Sequence, residues 1–438
     1  MSFMKQINKK SILFLLCLSL FTSILSVPAF AAVKTGESCS KLNQTSTFNG
    51  YKYTCIKSGK KLVWSKGVKV STPAPMPTVV PAPSASPTPV PTPPATPTAT
   101  PKPTLSATPT PTPTPKNFSD LWENRSGIAL AAWTKSTEAM TNSKVTLPPV
   151  EIYRGASTPL YYSSTEALKG ALTKVARMYP DAILPTKIVI FYYTRPEMPW
   201  GEAKAKEIMG ADYQNAFDAH GGPMIKCNLQ DDCDDGDAFV GANDISYIAI
   251  GVPLNPTDQV KAHSASMQGE MVEFYHSLQE MYYKKNNSYQ KNVDGIAAPN
   301  KPPHWLSVGG ENLTSQLITN DNNFVEFKNN AGGISGWAAS LGYDFSDASL
   351  DQYLSISNLG NYWSNNRAAK GKIDVIMGQY LMIILVALKG PNVMLEFHKQ
   401  MSAGTGFEEA FKNIFGTTWS SAQPELKRVL QYEYKNGY

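Results

Sequence analysis

Residues 272 to 280 read VEFYHSLQE. They sit inside a helical pattern from Ala265 to Lys284, in which Met267, Met271, Phe274, Leu278 and Met281 recur at three- and four-residue steps and predict a core-facing stripe. Glu273, His276 and Glu280 fall off that stripe and share the other face with Val272. A carboxylate and an imidazole one turn apart can serve acid–base or metal chemistry, and an ordinary solvated helix carries the same pair. The surrounding chain has to decide between the two.

The chain begins with Lys5, Lys9 and Lys10, an apolar run from Ile12, and Val27-Pro28-Ala29-Phe30-Ala31, the pattern of a cleaved export signal over residues 1–31. No small residue precedes Cys17 as a lipid-anchor motif requires. The apolar stretch Val375 to Leu388 carries Gly378, Gln379 and Tyr380 and is shorter than the ~20 residues of a bilayer span, so it is expected to be a buried helix, leaving a chain that does not cross a membrane.

Removal of the signal leaves Cys39, Cys55, Cys227 and Cys233, an even number in an oxidising compartment. Three pairings are possible, and locality favours Cys39 with Cys55 and Cys227 with Cys233. Neither pair has the tight spacing of a zinc knuckle. Residues 71–116 are nearly all Pro, Thr, Ala and Ser, a disordered tether that extends to about 140 Å at ~3.1 Å per residue. It separates a basic module, residues 33–70, with eight Lys against one Glu, from residues 117–438, whose net charge is −7. A basic head too small to fold without a staple suits attachment to an anionic wall polymer; a solubilising appendage is the other reading. No nucleic-acid motif is present. Gly36-x-x-Cys39, Tyr53-x-Cys55 and Leu62-Val63-Trp64 resemble short modules at the N-termini of secreted actinobacterial proteins.

In the large domain, helices are expected over Leu121–Met140, Thr165–Met178 with Ser164 or Thr165 as cap, and Pro199–Met209. Strands are expected over Lys187–Thr194 and Ile245–Val252. Residues 210–244 read as irregular. Asp231, Asp235, Gly236 and Asp237 imitate part of a calcium loop, but Cys233 and Ala242 occupy ligand positions, so a pinned acidic loop is the better expectation.

With His in place of Val272, the opening stretch would read His-Glu-x-x-His, the zinc helix of many metallopeptidases. "PPHWLSVGGENL" (302–313) resembles the Trp-Leu-x-Glu-Gly segment that carries the third zinc ligand of gluzincin peptidases, with Val308 in place of the Glu. Residues 377–419 resemble the C-terminal helices of the same family. The resemblance covers roughly residues 120–435 and implies an α+β fold, with a small mixed sheet over the metal helix, an edge strand along a cleft, and a mostly helical C-terminal lobe.

On that resemblance Val272 and Val308 replace two of three ligands. His276 is then a vestigial ligand and Glu273 a vestigial general base. Valine offers no lone pair, and one imidazole does not hold zinc. No cofactor is expected. Zinc enters only if the site is rearranged, with Glu311, one turn beyond Val308, as the substitute ligand. Tyr380 is a candidate oxyanion donor with a core role as its alternative; Gln279, Val272 and Val308 are candidate cleft residues. Glu273 itself, and His263 and His304, which lie just before the two helices, are the further candidates to complete such a rearranged site; His398 reads as surface, His220 as loop, and Trp200 as packing with a cleft wall as its alternative. The resulting expectation is an exported, envelope-associated pseudopeptidase whose cleft takes a peptide or wall polymer. The alternatives are an active metallopeptidase and a structural protein with a filled cleft.

Overall fold

The computed structural model describes residue 38, residues 45–48, 51–58, 61–66 and 68–69, and residues 114–213, 236–285, 302–332, 345–355 and 367–436. The expected export signal, most of the tether, Cys39, Cys227, Cys233 and His220 lie outside these residues. The chain divides into two compact units, residues 1–104 and 105–438.

In the first unit β1 (Thr45–Phe48), β2 (Tyr51–Ser58) and β3 (Lys61–Trp64) form an antiparallel meander, and β4 (Val68–Lys69) pairs back with Tyr51 and Lys52. Cys55 lies opposite Trp64 and both are buried, a small apolar centre for a lysine-rich sheet.

The second unit is α+β. Its sheet runs β5 (Val150–Arg154), β6 (Lys187–Tyr193), β8 (Ile245–Gly251), β7 (Gly236–Val240), with the first three parallel and β7 antiparallel at one edge. β6, Lys-Ile-Val-Ile-Phe-Tyr-Tyr, is buried on both faces from Ile188 onward, as suits a central parallel strand. Its alternation sends Ile188, Ile190 and Tyr192 into the main core and Val189 and Phe191 into a smaller one. The two strands expected from sequence are therefore the central pair. The edge strand β7, Gly-Asp-Ala-Phe-Val, falls in a region read as irregular, because Gly and Asp are poor strand formers and its pairing to β8 supplies the order. Gly236 and Asp237 start this strand, which is incompatible with a calcium loop running through residue 242.

The helices are α1 (Ile128–Asn142), α2 (Thr165–Met178), α3 (Met198–Met209), α4 (Asp258–Ala265), α5 (Gln268–Lys285), α6 (His304–Thr319), α7 (Phe324–Gly332), α8 (Asp347–Leu354), α9 (Arg367–Lys389), α10 (Val393–Ser402), α11 (Phe407–Phe415) and α12 (Trp419–Asn436), besides single turns. Ser164 caps α2 through its Oγ, which accepts from Ala167 N at 3.1 Å. The helix expected from Leu121 starts only at Ile128, after 3-10 turns at Phe118–Asp120 and Arg125–Gly127; an Asn117 capping box fixes the first of them. The helix expected from Ala265 to Lys284 is α5, which starts three residues later at Gln268, Ala265 being the last residue of α4. Met267, at φ +60°, breaks the chain between α4 and α5 and gives α5 its own N-terminus.

α9 is buried from Ile376 to Leu388 and crosses α6 at Gly309 and Gly378. Among the described residues no single helix is long and apolar enough to cross a membrane. A side chain at Gly309 would be driven into the backbone of Gly378, and one at Gly378 would come within 2.8 Å of Gly309 Cα, so this crossing is backbone against backbone. Trp305 of α6 stacks on Trp419 of α12, 5.8 Å between centroids, and closes the far end of the same core.

Candidate functional site

α5 lies between the sheet and α6, and twelve of its eighteen residues are buried. The face that carries Glu273, His276 and Glu280 is not a solvated one: Glu273 is 9 % exposed and Glu280 6 %. Burying carboxylates costs several kcal/mol each unless donors meet them, which makes their partners the informative part of the site.

His276 is held between two of these acids. Its Nε2 lies 3.4 Å from Glu280 Oε1, one turn along α5, and its Nδ1 lies 3.4 Å from Glu311 Oε1 of α6. Glu280 Oε2 also accepts from Val240 N of β7 at 2.8 Å. Burial alone would lower the imidazole pKa, but the hydrogen bonds and charges of Glu280 and Glu311 outweigh it and hold His276 well above its ordinary 6.5. The ring thus bridges two helices and, through Glu280, the edge strand. Its two nitrogens face carboxylates on opposite sides.

Glu311, the proposed substitute ligand, is therefore the partner of Nδ1. Val272 offers no donor atom, and among the described residues no group of three His, Cys, Asp or Glu side chains is disposed to hold a metal ion. These residues do not fit a three-ligand zinc centre.

A cleft of about 220 Å³ opens beside this bridge. Its walls are Tyr161 and Tyr162, Tyr192 of β6, the end of β8, and on the helix side Glu270, Val272, Glu273 and Asn312. Tyr192 donates its hydroxyl to Glu270 Oε1 at 2.8 Å. Burial raises the Glu270 carboxyl above its ordinary value, with that donation opposing the rise. Glu273 packs against Gly236, where a Cβ would come within 2.7 Å of Glu273 Oε1.

The other singled-out residues divide as follows. Val272 lines the cleft; Val308 is half-buried outside its lining, and its carbonyl accepts from Asn312 Nδ2 at 2.8 Å. The α6 side chain that does reach the cleft is Asn312. Gln279 is 4 % exposed and joins α5 to α6 by donating to Ser307 O at 3.2 Å. Tyr380 is a core residue, 1 % exposed, edge-on to Phe345 at 6.2 Å and outside the cleft lining.

His398, read as surface, is 1 % exposed. α10 packs on α5, so its Nδ1 meets Tyr283 Oη at 3.3 Å, and burial, reinforced by the His276 charge, pushes its pKa down to about 3. His304 is half-exposed, with Nδ1 2.7 Å from Asp374 Oδ2, and Tyr353 donates to the other oxygen at 2.7 Å. His263 is exposed at the cleft mouth and Trp200 is half-buried.

Sequence reading missed Glu270, Asn312, Tyr162 and Tyr192 as cleft residues. Glu270 stands three residues before Glu273 and shares its helical face, and Tyr192 follows from the two-residue period of β6; those were the available signals.

The bridge has a pH signature. Because His276 has a raised pKa in the folded state, its contribution is fully present below the unfolded value of 6.5 and is lost as pH rises through the folded value. Glu433, pushed up to about 8 by burial, also weakens the fold as pH rises from 4.5. The two are separated by comparing the wild type with His276→Gln. The difference in melting temperature is expected to be largest below the ordinary histidine value of 6.5 and to shrink as pH rises through the raised folded-state value; a pH-independent difference would show that His276 is not charged in the fold.

No protein-family profile, curated protein or solved structure matches this chain.

Proposed function

We propose that this is an exported, envelope-associated protein whose main unit descends from a gluzincin-type peptidase and now binds a ligand without hydrolysing it. One observation carries the reading: at the place of a zinc centre, Val272 supplies no ligand and His276 is committed on both ring nitrogens to Glu280 and Glu311. Without an ion no water is acidified, and Glu273 has no nucleophile to activate. The ancestry is supported by the small mixed sheet, by the antiparallel edge strand β7 packed along α5, and by the helical C-terminal part that backs α6. Binding is supported by the cleft that persists beside the bridge.

On this reading the N-terminal sheet, stapled by Cys39 and Cys55, is the anchor to an anionic wall polymer, and the Pro/Thr-rich segment is the tether.

The test is metal analysis of the full mature chain after dialysis against micromolar zinc, together with a peptide-hydrolysis assay. Substoichiometric zinc and no chelator-sensitive turnover are expected. Stoichiometric zinc with turnover that a chelator abolishes would make the protein an active metallopeptidase and overturn the proposal.

A further inference from the structure

The outer side of β5 is an open margin of the sheet. In its parallel pairing with β6, Val150, Ile152 and Arg154 stand opposite Ile188, Ile190 and Tyr192. At the two ends of this ladder Ile188 N donates to Pro149 O at 2.9 Å and Gly155 N donates to Tyr192 O at 3.0 Å. The β5 residues bonded to β6 are therefore Pro149, Glu151, Tyr153 and Gly155, and the amides and carbonyls of Val150, Ile152 and Arg154 point away from the sheet. Among the described residues no hydrogen bond reaches them. All five residues of the strand keep surface in solvent, and Arg154 is fully exposed. At the opposite edge, by contrast, the Val240 amide of β7 is engaged by Glu280.

We infer that β5 is a dimerisation edge: two copies of this chain pair antiparallel through β5, Ile152 against Ile152 on a two-fold axis, and their four-stranded sheets become one. What selects a second copy as the occupant is that the strand complements itself. Centred on Ile152, Val150 of one copy stands opposite Arg154 of the other, and both residues of each such pair point their amides across the seam, so every outward amide and carbonyl is used. Pro149 falls at a position whose amide would face β6, so its missing N–H costs the seam nothing. No like charges meet, because Arg154 faces Val150, and Glu151, paired with Lys187 at 2.9 Å, faces Tyr153. Neighbouring registers fail on the same residues. Centring on Glu151 would oppose the two Glu151 side chains and set Arg154 against Pro148, which has no N–H; centring on Tyr153 would carry Val150 past the end of the strand.

The two-fold pairing consumes β5 in both copies, so the assembly closes at two. A seam of one short strand lies at the small end of specific interfaces, and the dimer is accordingly weak and concentration-dependent. The inference is independent of the proposed function, since no β5 residue lines the cleft.

The experiment is sedimentation velocity of the full mature chain between about 1 and 200 μM, the range in which a weak seam of this size associates. A monomer at the low end and a growing share of dimer at the high end are expected. Ile152→Pro deletes the amide on the two-fold axis and none from the ladder to β6, so the far-UV circular dichroism should stay as it is while dimerisation weakens by about tenfold or more. Charge at Val150 tests the register and serves also if Ile152→Pro does not fold. Val150→Glu, opposite Arg154 of the other copy, should dimerise about fivefold more tightly than Val150→Lys, with the gap narrowing in high salt. A dimer that folded Ile152→Pro leaves intact, or equal affinities of the two Val150 variants, would overturn the inference. So would a chain that stays monomeric throughout, which would hand this edge to a strand of another protein.

Discussion

His276→Ala is expected to lower the unfolding free energy by about 3 kcal/mol, the lower end of the range for breaking a buried ion pair by removing one partner. The physical reason is what stays behind. The Glu280 and Glu311 side chains, 8 % and 10 % exposed, would face each other across the vacated ring with one cation fewer between them. The His276 side chain is 24 % exposed, so water enters to part of the gap and holds the loss at that lower end. Against a total stability of about 5–15 kcal/mol for a typical domain, this is a large fraction.

Equilibrium urea unfolding of the wild type and the variant measures it. Adding Glu280→Gln and Glu311→Gln to His276→Ala should restore much of the loss, because the uncompensated charges go with them. A loss under about 1 kcal/mol in the single variant would mean that the three groups are no more than an exposed ion pair.

Gly309→Ala is the second large effect. Alanine is the better helix former by about 1 kcal/mol, so an exposed glycine in α6 would gain from the change. At Gly309 the new methyl would meet the backbone of Gly378 in α9, whose Cα would be only 2.5 Å away. No side-chain rotation relieves a clash with a main chain, and the helices have to separate along their whole crossing. A net loss of about 2–3 kcal/mol or more is expected, the upper part of what overpacking costs. Gly378→Ala should act alike, and the double variant should lose less than the sum because the first methyl has already parted the helices. Thermal melts of the three proteins decide this. An unchanged melting temperature in Gly309→Ala would show that α6 and α9 can separate freely.

The helices and central strands were legible because their signals are local. Ser164 caps α2 where an Oγ was expected to, and β6 and β8 carry β-branched and aromatic runs that no polar interruption obscures. β5 and β7 were not legible. β7 opens on Gly-Asp, and what makes it a strand is its pairing with β8, which lies beyond it in the chain. The break at Met267 was hidden for a similar reason, since Met is an ordinary helix former and only the bond from Met267 N to Ser264 O and the turn of α4 put it at positive φ.

In the site, the sequence placed Glu273, His276 and Glu280 on one face of a helix. It did not reveal that this face is buried, because polar side chains forecast exposure until their partners are known. Those partners, Glu311 from α6 and the Val240 amide from β7, are distant in the chain. The cleft tyrosines stayed invisible as such, since an aromatic residue in a strand looks the same whether it fills a core or walls a cavity.

The outer margin of β7 bears on how the chain avoids pairing with copies of itself at that edge. A border strand with free amides invites another chain to add to the sheet, the route by which secreted proteins clump where chaperones are scarce. Here the Val240 amide is already taken by Glu280, the Ala238 amide by the side chain of Asp237, and the Gly241 carbonyl by Lys284. The carboxylate of Glu280 that braces His276 thus also occupies an amide at the border of the sheet.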